Sequence, residues 1–288
     1  MAEYLIQDTT LTGIADAIRG KTGGTDPVAV SDMAAQIDEI QAGGGDNVLN
    51  ALIDRSIVEI SSSSVTSIGK YAFSYCSALT TANFPVVTSI EDNAFSYCSA
   101  LTTVDFPAAT SIKNYAFSFC SALTTANFPV LISIGNSAFR SCSALTTANF
   151  PVLISIKDSA FRSCSKLTTV DFPVVTSIEG NAFSYCSELT TVDFPAATSI
   201  GTSAFRSCSK LKSLLLRNNK VCTLSNKNTF NSTPISSGTG YIYVPSALIE
   251  QYKTANNWST YASQFRALED YTVDGTVTGE LDPAKTGT

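Results

Sequence analysis

Between residues 66 and 216 the apolar side chains return at fixed places every 22 residues. An isoleucine recurs at Ile68, Ile90, Ile112, Ile134, Ile156, Ile178 and Ile200, and an Ala-Phe pair begins at Ala72, Ala94, Ala116, Ala138, Ala160, Ala182 and Ala204. A Phe-Pro step recurs six times, from Phe84 to Phe194. Seven in-phase units without an insertion predict a solenoid, because so short a unit cannot bury a core by itself. The stretch Leu79-x-x-Ala82-x-Phe84 predicts a short strand from about Thr81 to Phe84, with 82 and 84 inward and 81 and 83 outward. Pro85 has no N–H for a ladder and ends it. Ile68, Ala72, Phe73 and Cys76 are spaced as on one helical turn, which makes the rest of the unit a return arc.

The ends depart from this register. TLTGIADAIRG, from Thr10, predicts an amphipathic helix with Leu11, Ile14, Ala15 and Ile18 on one face. GKTGGTDP is a loop, and Ser31 caps a second helix carrying Met33, Ile37 and Ile40. Residues 1–42 are thus expected to form a separate helical N-terminal segment, followed by a Gly-rich linker at 43–46. Ala15 to Thr22, ADAIRGKT, fits a loose phosphate-loop pattern, but no strand precedes it; it reads as a helix end running into a loop. Residues 47–66 make a divergent first coil, since Ile57-x-x-Ile60 lies one period before Leu79 and Ala82. The solenoid proper is expected over 67–224. YIYVP (241–245) is the expected final strand of a cap over 225–270, with Leu248, Ile249, Tyr252 and Trp258 on one or two helices. Residues 271–288 read as a flexible tail.

Composition narrows the function. The chain of 288 residues carries a formal charge of −6, and only 15% of its residues are charged. No basic stripe is available to neutralise phosphates, so nucleic acid is not an expected partner. No apolar run is long enough to cross a bilayer, so membrane insertion is not expected. The first residues show no basic stretch followed by an apolar core, so no secretory signal is expected. The chain has no histidine, which removes the commonest general base and metal ligand.

Seven cysteines share the 22-residue register: Cys76, Cys98, Cys120, Cys142, Cys164, Cys186 and Cys208. Neighbouring coils would sit close enough for disulfides, but an odd column of parallel side chains in phase with Phe, Ile and Leu favours buried free thiols packing as small hydrophobes. One thiol per coil, with no C-x-x-C and no histidine, does not make a zinc site. No metal and no cofactor is expected.

The unit I-x-x-x-A-F-x-x-C-x-x-L-T-x-x-x-F-P resembles the bacterial surface-antigen (BspA-like) class of leucine-rich repeats over about residues 66–216. The resemblance implies an α/β repeat solenoid: a right-handed leucine-rich-repeat coil with a small helical N-terminal segment and an α/β C-terminal cap. It also implies a binding scaffold linked to adhesion, without catalysis. Residues 1–42 resemble short segments on tail and other structural proteins of phages of Gram-positive hosts. That implies attachment to other virion or surface proteins, and a place in the virion tail or on a cell surface.

Two surfaces are candidate sites. Outward strand positions form a concave grid: Thr81, Thr103, Thr125, Thr147, Thr169 and Thr191 in one column, and Asn83, Asp105, Asn127, Asn149, Asp171 and Asp193 in the other. A rigid grid of hydroxyls, amides and carboxylates suits a host-surface protein or glycan at low ordering cost. Asp171 and Asp193 are expected to be direct neighbours, about 5 Å apart, and to repel. On the convex return face, Arg140 and Arg162 are expected side by side, with Tyr75, Tyr97 and Phe119 earlier along it as a partner patch. The function these features support is non-enzymatic adhesion, first as a phage-tail or prophage-encoded receptor-binding protein recognising a bacterial surface. A cell-surface adhesin and an intracellular interaction scaffold are the alternatives.

Overall fold

The computed structural model describes residues 55–273 and the short strand Thr276–Val277. The expected N-terminal helices, their linker and most of the tail lie outside the described residues.

Each coil contributes two short strands. The odd-numbered set is β1 (Glu59–Ser61), β3 (Thr81–Asn83), β5 (Thr103–Asp105), β7 (Thr125–Asn127), β9 (Thr147–Asn149), β11 (Thr169–Asp171), β13 (Thr191–Asp193) and β15 (Ser213–Leu215). They stack parallel, one coil per strand, with Ile60 against Ala82 and Ala82 against Val104. The alternation expected from the sequence holds, since Ala82 and Phe84 are buried and Asn83 is exposed. The even-numbered set is β2 (Ser67–Ile68), β4 (Ser89–Ile90), β6 (Ser111–Ile112), β8 (Ser133–Ile134), β10 (Ser155–Ile156), β12 (Ser177–Ile178), β14 (Ser199–Ile200) and β16 (Thr223–Leu224). Here the sequence reading is corrected: the isoleucine column lies on a second parallel strand, away from the arc.

The return arc is not helical. Two residues in each coil adopt a left-handed backbone; in the first these are Tyr71 (φ 58°) and Tyr75 (φ 64°). The arc amides then alternate in use. Ala72, Ser74 and Cys76 N–H donate to carbonyls three residues back, whereas Tyr71, Phe73 and Tyr75 N–H donate forward to Asp92, Ala94 and Ser96 of the next coil. Left-handed residues with a Cβ cost about 1–2 kcal/mol each, and these regular bonds offset that cost. The apolar spacing that resembled a helical turn arises because the two sharp bends bring Ala72, Phe73 and Cys76 to the same side.

The core is a set of columns. Phe73, Phe95, Phe117, Phe139, Phe161, Phe183 and Phe205 stack with centroids 4.9–5.5 Å apart. A second column, Phe84 to Phe194, lies on the strand side. All seven in-register thiols are buried, as is Cys222. From Cys98 to Cys208 each Sγ–H donates to the Phe carbonyl of the preceding coil, at 3.0–3.1 Å. The column is therefore a hydrogen-bonded one, which packing logic alone did not predict.

At the C-terminal end Phe230 continues the stack on Phe205, 5.6 Å away, and Phe205 and Ser207 N–H donate to Thr229 and Asn231 carbonyls. A short helix α1 (Pro234–Ser237) follows, closed by Gly238 at φ 84°. Strand β17 (Tyr241–Val244) pairs with β15, but it is not the last strand: after α2 (Ile249–Thr254), β18 (Phe265–Ala267) pairs beyond it. Trp258 Nε1–H donates to the Cys222 carbonyl at 2.6 Å, and Tyr252 Oη accepts from Cys222 N–H at 2.9 Å.

Neither parallel sheet is continuous. The odd set breaks between β7 and β9 and again between β11 and β13; the even set breaks between β8 and β10. Between β7 and β9 both sheets are thus interrupted, and the coils stay joined through the arc, where Ser137, Phe139 and Ser141 N–H reach Asp158, Ala160 and Arg162 carbonyls.

Candidate binding surfaces

All twelve predicted strand-face residues reach solvent at least in part. Six of them, Thr103, Asp105, Thr125, Asn127, Thr147 and Asn149, line one shallow groove of about 650 Å³, walled by Pro129 and Pro151. Thr81, Asn83, Thr169, Asp171, Thr191 and Asp193 lie outside it. The groove spans the β7/β9 interruption. Within it Asn127 Nδ2 donates to Asp105 Oδ1 at 2.7 Å. Thr125, Thr147 and Asn149 are exposed, and among the described residues their side chains have no hydrogen-bond partner. Apart from Asp105 its lining is uncharged.

Asp171 and Asp193 are not ladder partners, contrary to the sequence expectation: β11 pairs back to β9 and β13 pairs forward to β15. Arg217 holds Asp193 instead, with Nε 2.9 and 3.1 Å from its two carboxylate oxygens. Like charges side by side oppose pairing, and the ladder opens where they would meet.

On the arc face Tyr75, Tyr97 and Phe119 stack with their rings almost parallel, 4.6 Å between centroids. Arg55 lies over Tyr75 and Arg140 over Phe119, closing both ends with cation–π contacts. Arg162 stands one coil on from Arg140. It lies over Tyr185, 5.7 Å from the centroid, a residue the sequence reading omitted although the same Ser-Tyr pair marks it. A third surface was missed altogether. Val130, Ile132, Val152, Ile154 and Val174 form an exposed aliphatic ridge. Its signal is Ile132 and Ile154 standing where neighbouring units carry Thr88, Thr110, Thr176 and Thr198.

The thiols offer no reactive group to any of these surfaces. Burial pushes Cys76 up to about 11 and Cys164, Cys208 and Cys222 to about 12; it raises Cys98 and Cys120 further, and holds Cys142 and Cys186 well above the ordinary thiol value. Among the described residues no group of acidic, cysteine or histidine side chains is placed to hold a metal ion. Nor is any helix there long and apolar enough to cross a membrane.

A parallel coil of short strands with an open, rigid, hydrogen-bonding face is a repeat scaffold of the leucine-rich type. The model of the BspA type leucine rich repeat region matches residues 54–153 and 132–252, in six copies, and the chain belongs to that family. The family supports a binding role. No curated protein matches the chain. Among solved structures, the chain is similar to a leucine rich repeat protein of T. pallidum (24% identity, 54% of this chain and 78% of that one, TM-score 0.49). It is also similar to a leucine rich cell surface protein from Faecalibacterium prausnitzii (24% identity, 63% and 64%, TM-score 0.42). A third is a leucine-rich repeat protein from Bacteroides ovatus (20% identity, 74% and 84%, TM-score 0.37).

Proposed function

We propose that the protein is a non-enzymatic adhesin whose strand face grips a neutral glycan chain on a bacterial surface. The groove over β5, β7 and β9 carries this reading. Its hydroxyls, amides and one carboxylate suit a hydroxyl-rich ligand, and it holds no cation that would select an anionic one. Its donor and acceptor groups repeat at the coil rise, so a polymer with a similar repeat meets the same contacts several times over. The finer placement is a phage-tail or prophage-encoded receptor-binding protein, held to other virion proteins through residues 1–42; it is supported by the resemblance of that segment. Family membership favours a second placement, on the bacterial cell surface.

Two measurements test this. Binding of the full chain to host envelopes is expected to fail after periodate oxidation of glycans and to survive protease treatment. The reverse pattern would make the ligand a protein. Asn149→Ala is expected to weaken binding by roughly tenfold, the loss of one well-placed hydrogen bond. Immunogold labelling before and after prophage induction fixes the location. Gold on tail tips supports the virion protein, gold on uninduced cells the surface adhesin, and gold confined to the cytoplasm rejects both.

A further inference from the structure

The three interruptions are not scattered. From β3 to β13 each odd strand carries one of two dipeptides: Ala-Asn in β3, β7 and β9, or Val-Asp in β5, β11 and β13. Where unlike dipeptides meet, at β3/β5, β5/β7 and β9/β11, the strands pair. Where like meets like, Ala126-Asn127 beside Ala148-Asn149 and Val170-Asp171 beside Val192-Asp193, they do not.

Independent features follow the same division. The hydroxyls of Thr102, Thr124 and Thr168 donate to the carbonyl one coil back, as the unlike junctions allow. At the like junctions Thr146 and Thr190 make no such bond, and the amides of Phe128 and Phe172 lack the forward bond that Phe84, Phe106 and Phe150 make. Rings of the strand-side Phe column are 5.5, 5.6 and 5.8 Å apart at unlike junctions, and 6.0 and 6.3 Å apart at like ones. Ala126 and Val170, inward residues on the near side of each like junction, are partly exposed, while Ala82, Val104, Ala148 and Val192 are buried.

We infer that the order of these dipeptides determines where the strand face opens, and so where ligand enters. Alternation pairs a small inward residue with a large one, and an amide donor with a carboxylate, as Asn127 does with Asp105. Repetition sets Ala against Ala, or two like carboxylates against each other. The β7/β9 junction is the one like junction at which the even-numbered sheet is interrupted too, and repetition there runs through fifteen residues. CSALTTANFPVLISI occurs at 120–134 and again at 142–156, so Ile132 and Ile154 also replace the threonines whose hydroxyls tie the even-numbered side of other coils. The four positions 126, 127, 148 and 149 thereby act as specificity determinants of the groove. This deepens the strand-face reading of function and rests on it.

The test is residue-resolved amide hydrogen exchange on the full chain, which needs no ligand. In Ala126→Val/Asn127→Asp, the β7/β9 junction becomes unlike and β5/β7 becomes like. Exchange at Thr146 and Phe128 is expected to slow by about tenfold or more, while Thr124 and Phe106 quicken by a similar factor. In Val170→Ala/Asp171→Asn the opening is expected to move from Thr190 and Phe172 to Thr168 and Phe150. This second variant carries the test if the first does not fold. Unchanged exchange at the original junctions, or slowing there without quickening one coil earlier, overturns the inference. A failure of glycan binding with the exchange pattern as expected overturns the functional reading and leaves the opening rule intact.

Discussion

The arc face and the strand face of the same coils are built on the same period, yet one is continuous and the other is interrupted. Along the arc every coil from Tyr71 to Ser207 passes amide bonds to the next, including across the junctions where the strand ladder is open. The arc positions that face inward are invariant: Ala-Phe, then Cys, in each of seven units. The inward strand position from β3 to β13 is Ala in three coils and Val in three, and its fit depends on which neighbour it meets. A constant column gives a constant ladder; a column of two residue types makes the ladder depend on their order.

The largest way to break the arc is alkali. The thiols are held protonated by burial, up to about 11 for Cys76 and about 12 for Cys164, Cys208 and Cys222, against an ordinary value of 9.0. A folded pKa raised above the unfolded one gives stability that is present below pH 9 and lost as pH rises toward the folded values. Each such thiol contributes about 1.4 kcal/mol of loss per pH unit in that window. Denaturant midpoints are expected to fall steeply between pH 9 and 11; a flat profile there would mean the column is open to solvent.

Side-chain deletion sharpens the contrast. Phe139→Ala, in the regular arc-side stack, is expected to cost about 3–5 kcal/mol. Phe128→Ala is expected to cost about 1 kcal/mol less, because its ring meets Phe150 at 74° across the open junction rather than in a stack. Equal costs in chemical denaturation would show that the opening carries no packing deficit. Cys142→Ser comes next, at about 1–3 kcal/mol. The shorter, more polar hydroxyl replaces a thiol that reaches the Phe117 carbonyl at 3.1 Å. Stability equal to the parent would mean that the buried column tolerates a hydroxyl freely. The smallest effect expected is a gain. Ile154→Thr restores a hydroxyl that can donate to the Ile132 carbonyl, as Thr176 does to Ile154, and should stabilise by up to about 1 kcal/mol. Slower exchange of the residue-154 amide would accompany it, and no gain would leave the ridge unconnected to the opening.

The period, the inward set and the buried thiols were legible in the sequence because each repeats with the same neighbours. The return arc was misread as helical for a local reason: left-handed bends at Tyr71 and Tyr75 give apolar spacings close to those of a helical turn. Tyr and Phe carry no signal for a left-handed backbone as Gly would. The Phe230 arc was missed because Thr229-Phe230 follows Ala204-Phe205 by 25 residues, out of register. On the strand face all twelve grid residues could be named, but not which six would share a groove. That depends on pairs of neighbouring coils, and Asp171 and Asp193 were paired by period alone.

The forward donation of the arc amides also bears on how such a chain lengthens. Each 22-residue unit accepts at its back what it donates at its front, so copying one whole unit adds a coil with no orphaned arc bond. A fresh copy lies beside its own parent, however, and identical strands are the ones that part. Tandem duplication therefore creates a new opening at the moment it creates a new coil. Later substitution, Ala-Asn to Val-Asp or the reverse, closes that opening or moves it. The fifteen identical residues at 120–134 and 142–156 mark such a junction still unhealed. In this molecule, growth and the making of a new recess are a single event.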